Sequence, residues 1–325
     1  MRLCDVFAGA FLFSIIEDAF GSSGDLNQDF QLCTADCMAR LDCPIRPDYY
    51  KWTQKSCFDC RYSCMWKTVE FFKKYSNVPQ FFGKWPFASI SSQIGPFVIL
   101  IQEPASTLFS LFNLCACFWL LNEIWLKVPK KSRMRNVWIG YALVGIVCWI
   151  FSMVFHSRDF WLTEYLDYFG AAALIFYAFY ASLMLTMPFL HQNQTISKII
   201  FTVIALLYSR HVHYLFSRAS FDYGHNMRCC VGLSVLTAAV YVLWILKEWL
   251  SGTYRPSLKS LLQIIAIGLG SALFEIYDFP PIFWTIDAHS LFHLATVPTP
   301  FLMAKFVVAE TAYERNDLPF KTKQI

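Results

Sequence analysis

Two histidines near the end of the chain have a spacing that favours metal chemistry. His289 and His293 are four residues apart at the start of an apolar segment that runs to about Ala309. On a helix this spacing puts both imidazoles on one face, where two nitrogens can share one metal ion. Ionisable side chains inside a membrane segment are costly and usually functional. Taken alone, the pair is equally consistent with two structural histidines bonded to neighbouring helices.

A second polar group lies far upstream, where Ser152 and His156 are also four residues apart and Asp167 follows. Three neutral imidazoles with an open fourth position are typical of a catalytic zinc site, which activates water and polarises a carbonyl oxygen. Asp167 would then orient or deprotonate the water, or support a histidine ligand. Ser152 would stabilise an oxyanion or act as a nucleophile. The alternative for Ser152 is a bond to its own helix backbone.

Amino-acid composition indicates which class of protein carries these residues. Hydrophobic residues make up 56% of the 325 residues and charged residues only 15%. A soluble domain carries about 25% charged residues, so the chain is predicted to be a multi-span membrane protein. The net charge is +4 and there is no basic tract, so no nucleic-acid partner is expected.

The N-terminal part divides into two segments. Residues 1–21 read as a signal peptide, with a basic residue, a short apolar stretch and a small-x-small cleavage site. Residues 22–95 are predicted to form a lumenal cysteine-rich domain. Its even cysteine count favours three disulfides with fifteen pairings open, and the alternative is a zinc site on the last three cysteines. The six are Cys33, Cys37, Cys43, Cys57, Cys60 and Cys64.

Seven apolar segments follow. Each is close to the roughly 17–25 residues that a helix needs to cross a bilayer, and only helices satisfy the backbone there without a closed barrel. The predicted fold is an all-α seven-transmembrane helix bundle over 96–310, with the disulfide-rich domain before it and a tail at 311–325. The spans are predicted at 97–124, 137–156, 165–187, 197–215, 228–246, 260–277 and 288–309.

Charge predicts the orientation. The odd-numbered connections between spans and the tail hold most of the basic residues, for example Lys127, Arg133 and Lys247. The positive-inside rule therefore predicts a lumenal N-terminus and a cytosolic C-terminus. The tail ends with Lys321 and Lys323 at the fifth and third positions from the end, a dilysine-type pattern that predicts coat recognition and retrieval to the endoplasmic reticulum.

This orientation brings the chemistry together. Ser152 and His156 fall in the last lumenal turns of span two, and Asp167 falls in the first turn of span three. His289 and His293 fall in the first two turns of span seven. Motifs more than a hundred residues apart thus reach one depth at one membrane face, which is the best sign of a site in the residues themselves.

Further polar residues at this face are weaker candidates. Glu103 is expected near the site, in a hydrogen bond to another helix. Asp287 and His211 are site-lining candidates as well. Glu275 and Asp278 are expected to be ordinary polar groups at a helix end.

The residues also resemble a known family. The site pattern on seven spans is similar to the membrane hydrolase superfamily of alkaline ceramidases and adiponectin-receptor-like proteins. Within it, the chain resembles the family of post-GPI attachment to proteins factor three and its yeast relative, over nearly the whole mature chain. The signature-like segments are 78–87, 102–106, 155–159, 162–164, 221–224 and 278–281, the last leading into 287–289.

The resemblance implies a phospholipase A2 specific for glycosylphosphatidylinositol (GPI) anchors in the Golgi and endoplasmic reticulum. It would remove the unsaturated sn-2 acyl chain from GPI-anchored proteins in the lumenal leaflet. The family site falls on Ser152, Asp167 and the three histidines, with zinc carried over from the ceramidase-like relatives. Two alternatives remain open: a non-catalytic seven-span lipid-binding receptor, and a ceramidase-type amidase.

Overall fold

The structure is a computed structural model that describes residues 22–43, 55–74, 78–95, 97–218 and 221–315. The predicted signal peptide and the two tail lysines lie outside the described residues. Within them the chain is mostly helical, as predicted.

The N-terminal part is a helical hairpin stapled by three disulfides, which confirms the disulfide prediction. Helices α1 (Gln28–Leu41) and α2 (Lys55–Lys73) carry cysteine pairs at i, i+4, which place both thiols of a pair on one helix face. Two antiparallel helices with such faces join in nested order. The bonds are Cys33–Cys64, Cys37–Cys60 and Cys43–Cys57, so the cysteines of the alternative zinc site are all oxidised.

A β-hairpin precedes the first membrane helix. Strands β1 (Ile90–Ile94) and β2 (Phe97–Ile101) pair antiparallel, with Ile90 opposite Ile101 and Gly95 at a positive φ in the turn. The predicted start of span one at 97 is therefore wrong. The helix starts at Pro104, because proline is favoured in the first helical turn, where its missing N–H costs nothing.

Seven helices in the described part of the chain are long and apolar enough to cross a membrane, which confirms the predicted bundle. A short helix, α6 (Pro188–Gln192), joins the third and fourth spans. The seventh span consists of two consecutive helices. The span helices are α3 (Pro104–Lys127), α4 (Arg135–Ser157), α5 (Trp161–Thr186), α7 (Gln194–Phe216), α8 (Tyr223–Leu250), α9 (Leu258–Ile276), α10 (Ala288–Thr296) and α11 (Pro298–Glu314).

The spans pack around α3, α4 and α5. Helix α11 packs on α3, α8 packs on α5, and α9 packs on both halves of the seventh span. Fully buried side chains such as Ile124, Trp138 and Phe306 fill the half of the bundle away from the cysteine hairpin. In the other half α4 and α5 approach closely at Gly170, which has no side chain. A Cβ atom added there would lie 3.2 Å from the Cα atom of Cys148.

A proline divides the seventh span. Pro298 has no N–H to bond the carbonyl of Leu294, and the amide of Val297 bonds to that carbonyl instead, at 3.2 Å. The carbonyl of His293 is then taken by side chains. Asn113 Nδ2 donates to it at 2.7 Å and Thr296 Oγ1 at 2.8 Å, which ties the bend to α3.

The cysteine hairpin and the segment that follows it both contact the loop between α9 and α10. Asp278 in this loop accepts hydrogen bonds from Trp85 Nε1 at 2.6 Å and from Gln80 Nε2 at 2.9 Å. The ring of Trp284 packs edge-on against Trp66 of α2, with centroids 5.1 Å apart. The hairpin therefore lies over one end of the bundle, and the predicted site residues lie at that same end.

Candidate metal centre

Three histidines from two spans meet at the hairpin end of the bundle. His156 is in the last turn of α4, and His289 and His293 are one turn apart in α10. One ring nitrogen from each lies within 4.8 Å of the others, and the Nε2 atoms of His156 and His289 are 3.3 Å apart. His156 and His293 are buried, whereas the side chain of His289 is 36% exposed. The cluster thus opens on the His289 side.

Carboxylates hold the outer nitrogens of two of these rings. Glu103 Oε2 lies 2.5 Å from His156 Nδ1, and Glu275 Oε1 lies 2.6 Å from His289 Nδ1. An ionised carboxylate only accepts hydrogen bonds, so in each neutral ring the Nδ1 atom carries the proton. The Nε2 atoms therefore point their lone pairs into the cluster.

A serine has the same effect on the third ring. Ser110 Oγ donates its single proton to the carbonyl of Ser106 at 2.7 Å. Toward His293 Nδ1, 2.9 Å away, Ser110 must then accept. This leaves Nε2 of His293 unprotonated as well.

The donor set fits a metal ion. The Nε2 atoms of His156 and His289 lie 3.3 Å apart, and where both are unprotonated a cation between them would bind both lone pairs. Outer-nitrogen bonds to carboxylates and hydroxyls are also typical of histidines that bind metals. The three histidines can therefore hold a metal ion, as their spacing predicts.

Ser152 and Asp167 lie beside the histidines. Both side chains are buried, and the Ser152 hydroxyl lies near the Asp167 carboxylate. Ser152 Oγ is also 3.1 Å from Ser110 Oγ, which in turn contacts His293. Asp167 is one turn before Gly170, so the close approach of α4 and α5 brings its carboxylate to Ser152.

Glu103 is tied to His156 by its backbone as well as by its side chain. Its amide donates to the carbonyl of His156 at 3.0 Å, and Gln102 bonds to Ser157 in the same way, which satisfies carbonyls at the end of α4. The prediction that Glu103 lies near the site and bonds to another helix agrees with this geometry.

An ion pair extends this contact outward. Lys84 Nζ lies 3.0 Å from Glu103 Oε1 and 2.8 Å from Asp159 Oδ2. Burial alone would lower the pKa of Lys84 and raise that of Glu103. The opposite charges outweigh burial: Asp159 and Glu103 raise the pKa of Lys84, while the charge of Lys84 and the hydrogen bond from His156 lower the pKa of Glu103. Both groups stay charged at neutral pH.

The other two site-lining candidates lie outside the cluster. His211 bonds to Asn226 at 3.0 Å and its ring stacks on His225, with centroids 5.5 Å apart, in a separate group between α7 and α8. Asp287 caps α10, because its Oδ1 atom accepts from the amide of Ser290 at 2.8 Å. It supports the helix that carries the two histidines.

Sequence reasoning missed three contributors to the site. Glu275 was expected to be an ordinary helix-end group, Ser110 was not singled out, and Lys84 was seen only as part of a family signature. Position offers a signal for Glu275, since the end of span six shares a membrane face with the start of span seven. Ser110 carries no comparable signal.

The fold and the cluster define a class: a seven-span membrane protein with a three-histidine site of the metal-binding type. Within that class, the chain belongs to the Per1-like family, whose model matches residues 47–311.

The relatives have nearly the same length as this chain. A zebrafish (Danio rerio) protein called GPI-specific phospholipase A2-like PGAP3 is 34% identical over 96% of this chain and 97% of its own. The mouse (Mus musculus) protein of the same name is 33% identical over 91% of each chain. A Drosophila melanogaster protein called post-GPI attachment to proteins factor 3 is 32% identical over 88% of each.

Proposed function

We propose that this protein is a GPI-specific phospholipase A2 that removes the unsaturated sn-2 acyl chain from GPI-anchored proteins. The names of its relatives support the substrate and the reaction class. The observation that carries the chemistry is the convergence of one ring nitrogen from each of three histidines, next to the buried side chains of Ser152 and Asp167. Buried polar groups in a membrane are costly and usually functional, which supports a functional role for this arrangement.

We assign zinc to the three histidines, because three imidazoles with an open position are a typical zinc ligand set. When bound, zinc would supply a Lewis acid for the ester carbonyl. Metal analysis of purified protein should find about one zinc per chain, and His156→Ala should remove it. If His156→Ala kept both its metal and its activity, this assignment would be wrong.

Asp167 and Ser152 act on the reacting atoms. Asp167 accepts a proton as a water oxygen attacks the sn-2 carbonyl carbon, and Ser152 donates a hydrogen bond to the oxygen on which negative charge develops. The ester C–O bond then breaks, and the leaving alkoxide takes the proton from Asp167. The products are a free fatty acid and an anchor with one acyl chain fewer.

The substrate determines where the site must face. GPI-anchored proteins are expected in the lumenal leaflet of the secretory pathway, and the charge distribution between spans predicts that the hairpin end of the bundle is lumenal. The ester of a lipid lies just below its headgroup, at the depth of the first helical turns. Residence in the Golgi and endoplasmic reticulum, with coat recognition of the tail lysines, completes the proposal.

Lipid analysis of GPI anchors tests the function directly. Cells lacking this protein would be rescued with wild type, with His293→Ala, or with His213→Ala as a control histidine outside the cluster. Wild type and the control should restore saturated sn-2 chains, and His293→Ala should not. Equal rescue by His293→Ala would refute the catalytic site, and failure of correctly localised wild type would refute the substrate. Accumulated ceramide in unrescued cells would favour the amidase alternative.

A further inference from the structure

A groove lies between the cysteine hairpin and the bundle, directly above the metal centre. Its walls come from α2, from the segment that carries Phe81 to Phe87, and from the connections beside α3 and α4. The cavity volume is about 130 Å³, close to the roughly 150 Å³ cavity that holds one benzene molecule. This volume is on the scale of one six-membered ring, and the groove is open on one side, so the substituents of a bound ring can extend out of it.

Aromatic side chains form one part of the wall. Phe58 and Tyr62 of α2 stack with centroids 5.6 Å apart, and Phe81 and Phe82 face them from the following segment. Flat apolar faces beside a few placed polar groups are typical of pockets for small ring-shaped ligands. Tyr62 is held in place by the amide of Ser89, which donates to its hydroxyl at 3.0 Å.

Charged groups form the rest. Arg61 lies over the ring of Phe82, with its Cζ atom 5.8 Å from the centroid, and Lys84 lies deeper beside Asp159 and Glu103. Arginine and lysine bind phosphate oxygens, and carboxylates accept hydrogen bonds from hydroxyls. A ligand with both a phosphate and several hydroxyls would match this mixture of charges.

Glu103 connects the groove to the metal centre. One of its oxygens faces Lys84 in the groove, and the other bonds to Nδ1 of His156. A ligand in the groove is thus separated from the cluster by a single glutamate and one imidazole ring. In a phosphoinositide lipid the ring, the phosphate and the glycerol esters follow one another in this order along the molecule.

We propose that this groove binds the phosphorylated inositol ring of the anchor and so places the glycerol ester at the metal centre. The inference rests on the proposed function and adds the part of the substrate that is recognised. The ring packs on the aromatic wall, the phosphate meets Arg61, and the hydroxyls face Asp159. Selectivity for phosphoinositide substrates then resides in the contact between hairpin and bundle.

Binding can be measured without turnover. The probe is glycerophosphoinositol, titrated into the full-length protein in detergent micelles and followed by saturation-transfer NMR, with glycerol 3-phosphate and free inositol as the component controls. Wild type should bind the probe saturably and more tightly than either component. His293→Ala should bind it equally well, because the groove does not include that residue.

Two variants probe the groove. Arg61→Gln and Phe82→Ala should each weaken binding about tenfold or more, through loss of a charge-assisted bond or of a ring contact. Arg40→Gln, at an exposed arginine on the same hairpin, is the matched control and should bind like wild type. Thermal unfolding of each variant checks that the hairpin remains folded.

The outcomes separate this inference from the proposed function. Absence of probe binding by wild type, or unchanged binding by folded Arg61→Gln and Phe82→Ala, overturns the groove assignment whatever the lipid analysis finds. Saturable binding that the groove variants lose, while GPI lipids in unrescued cells are normal, supports the groove and refutes the phospholipase. Equal binding of glycerol 3-phosphate would reduce the site to an anion contact and overturn ring recognition.

Discussion

Each imidazole of the cluster presents Nε2 because a different side chain holds its Nδ1 atom. Glu103 precedes α3, Ser110 lies within α3 and Glu275 ends α9, so three separate positions select the tautomers of the three rings. A neutral imidazole with the wrong tautomer offers a proton where a lone pair is needed. The outer partners therefore decide whether the cluster can bind a metal at all.

Ser110→Ala tests this at the residue with the least conspicuous role. His293 would lose its Nδ1 acceptor, so its ring would be free to turn or to carry the proton on Nε2. We expect metal affinity and anchor remodelling to fall about 10–100-fold, the usual effect of losing an outer hydrogen bond of a ligand histidine. Metal content of the purified variant and GPI-anchor lipid analysis measure the two effects.

Ser182→Ala is the matched control for that experiment. Ser182 is also buried in a span, but its hydroxyl donates to the Phe179 carbonyl at 2.7 Å, away from the cluster. It should keep full metal content. If Ser110→Ala also binds metal like wild type, tautomer selection by Ser110 is wrong.

At this scale the sequence predicts the histidines well and their partners poorly. His289 and His293 are found by their spacing, and His156 by its place at the same membrane face. Ser110 cannot be found, because a serine in a membrane helix normally bonds to its own backbone, and Ser110 does so as well, through Ser106. Its second contact depends on how α10 packs on α3.

The break in the seventh span is the element that sets the position of His293. Pro298 frees the backbone around Leu294, and Asn113 of α3 bonds to the carbonyl of His293 from across the helix interface. In the membrane interior no water is present to hydrogen-bond an unpaired carbonyl, so the bond from Asn113 stabilises the packing of α10 on α3. The bend thus leaves the carbonyl of His293 free to accept a hydrogen bond from α3, and this contact orients His293.

Asn113→Leu should loosen this contact. The substitution keeps a similar volume but removes the donor to the His293 carbonyl, a loss that typically costs about 1–3 kcal/mol for a buried group. We expect a lower midpoint of thermal unfolding in detergent and reduced metal content. Phe112→Leu, at a side chain that is 43% exposed on the neighbouring position, is the control and should change neither. Equal behaviour of the two variants would show that the Asn113 bond is not needed.

Element boundaries were less predictable than element number. Residues 97–101 are an apolar run, and such a run fits a short strand as well as the start of a helix. Pro104 was the residue in the sequence that indicated the true start of α3. In the cysteine hairpin, by contrast, the i, i+4 spacing on two antiparallel helices accounts for the nested pairing. The sequence alone left fifteen pairings open, because it did not establish the two helices or their relative direction.

At the scale of the whole molecule, the tail is predicted to determine in which compartment the site meets its substrate. Replacing Lys321 and Lys323 by serine should shift the protein from the endoplasmic reticulum toward the Golgi, because the dilysine-type pattern would be lost. Fluorescence microscopy against markers of both compartments measures the shift. Arg315→Ser removes a nearby basic residue outside the pattern and should leave the distribution as in wild type. An unchanged distribution of the double variant would exclude retrieval through these lysines.

Orientation links the site to its substrate, and two glycosylation sites can determine it. The native sequon Asn193-Gln194-Thr195 lies at the start of α7, where Asn193 Oδ1 caps the helix by accepting from the amides of Thr195 and Ile196. The positive-inside rule predicts that this sequon lies in the cytosol, so wild type should carry no glycan. Lys74→Asn creates a sequon with Tyr75 and Ser76 just after α2, on the predicted lumenal side. This variant should migrate more slowly on a gel and return to the wild-type position after endoglycosidase treatment.

A glycan on wild type that Asn193→Gln removes, with none at position 74, would reverse the membrane orientation and place the histidine cluster in the cytosolic leaflet, away from GPI-anchored proteins.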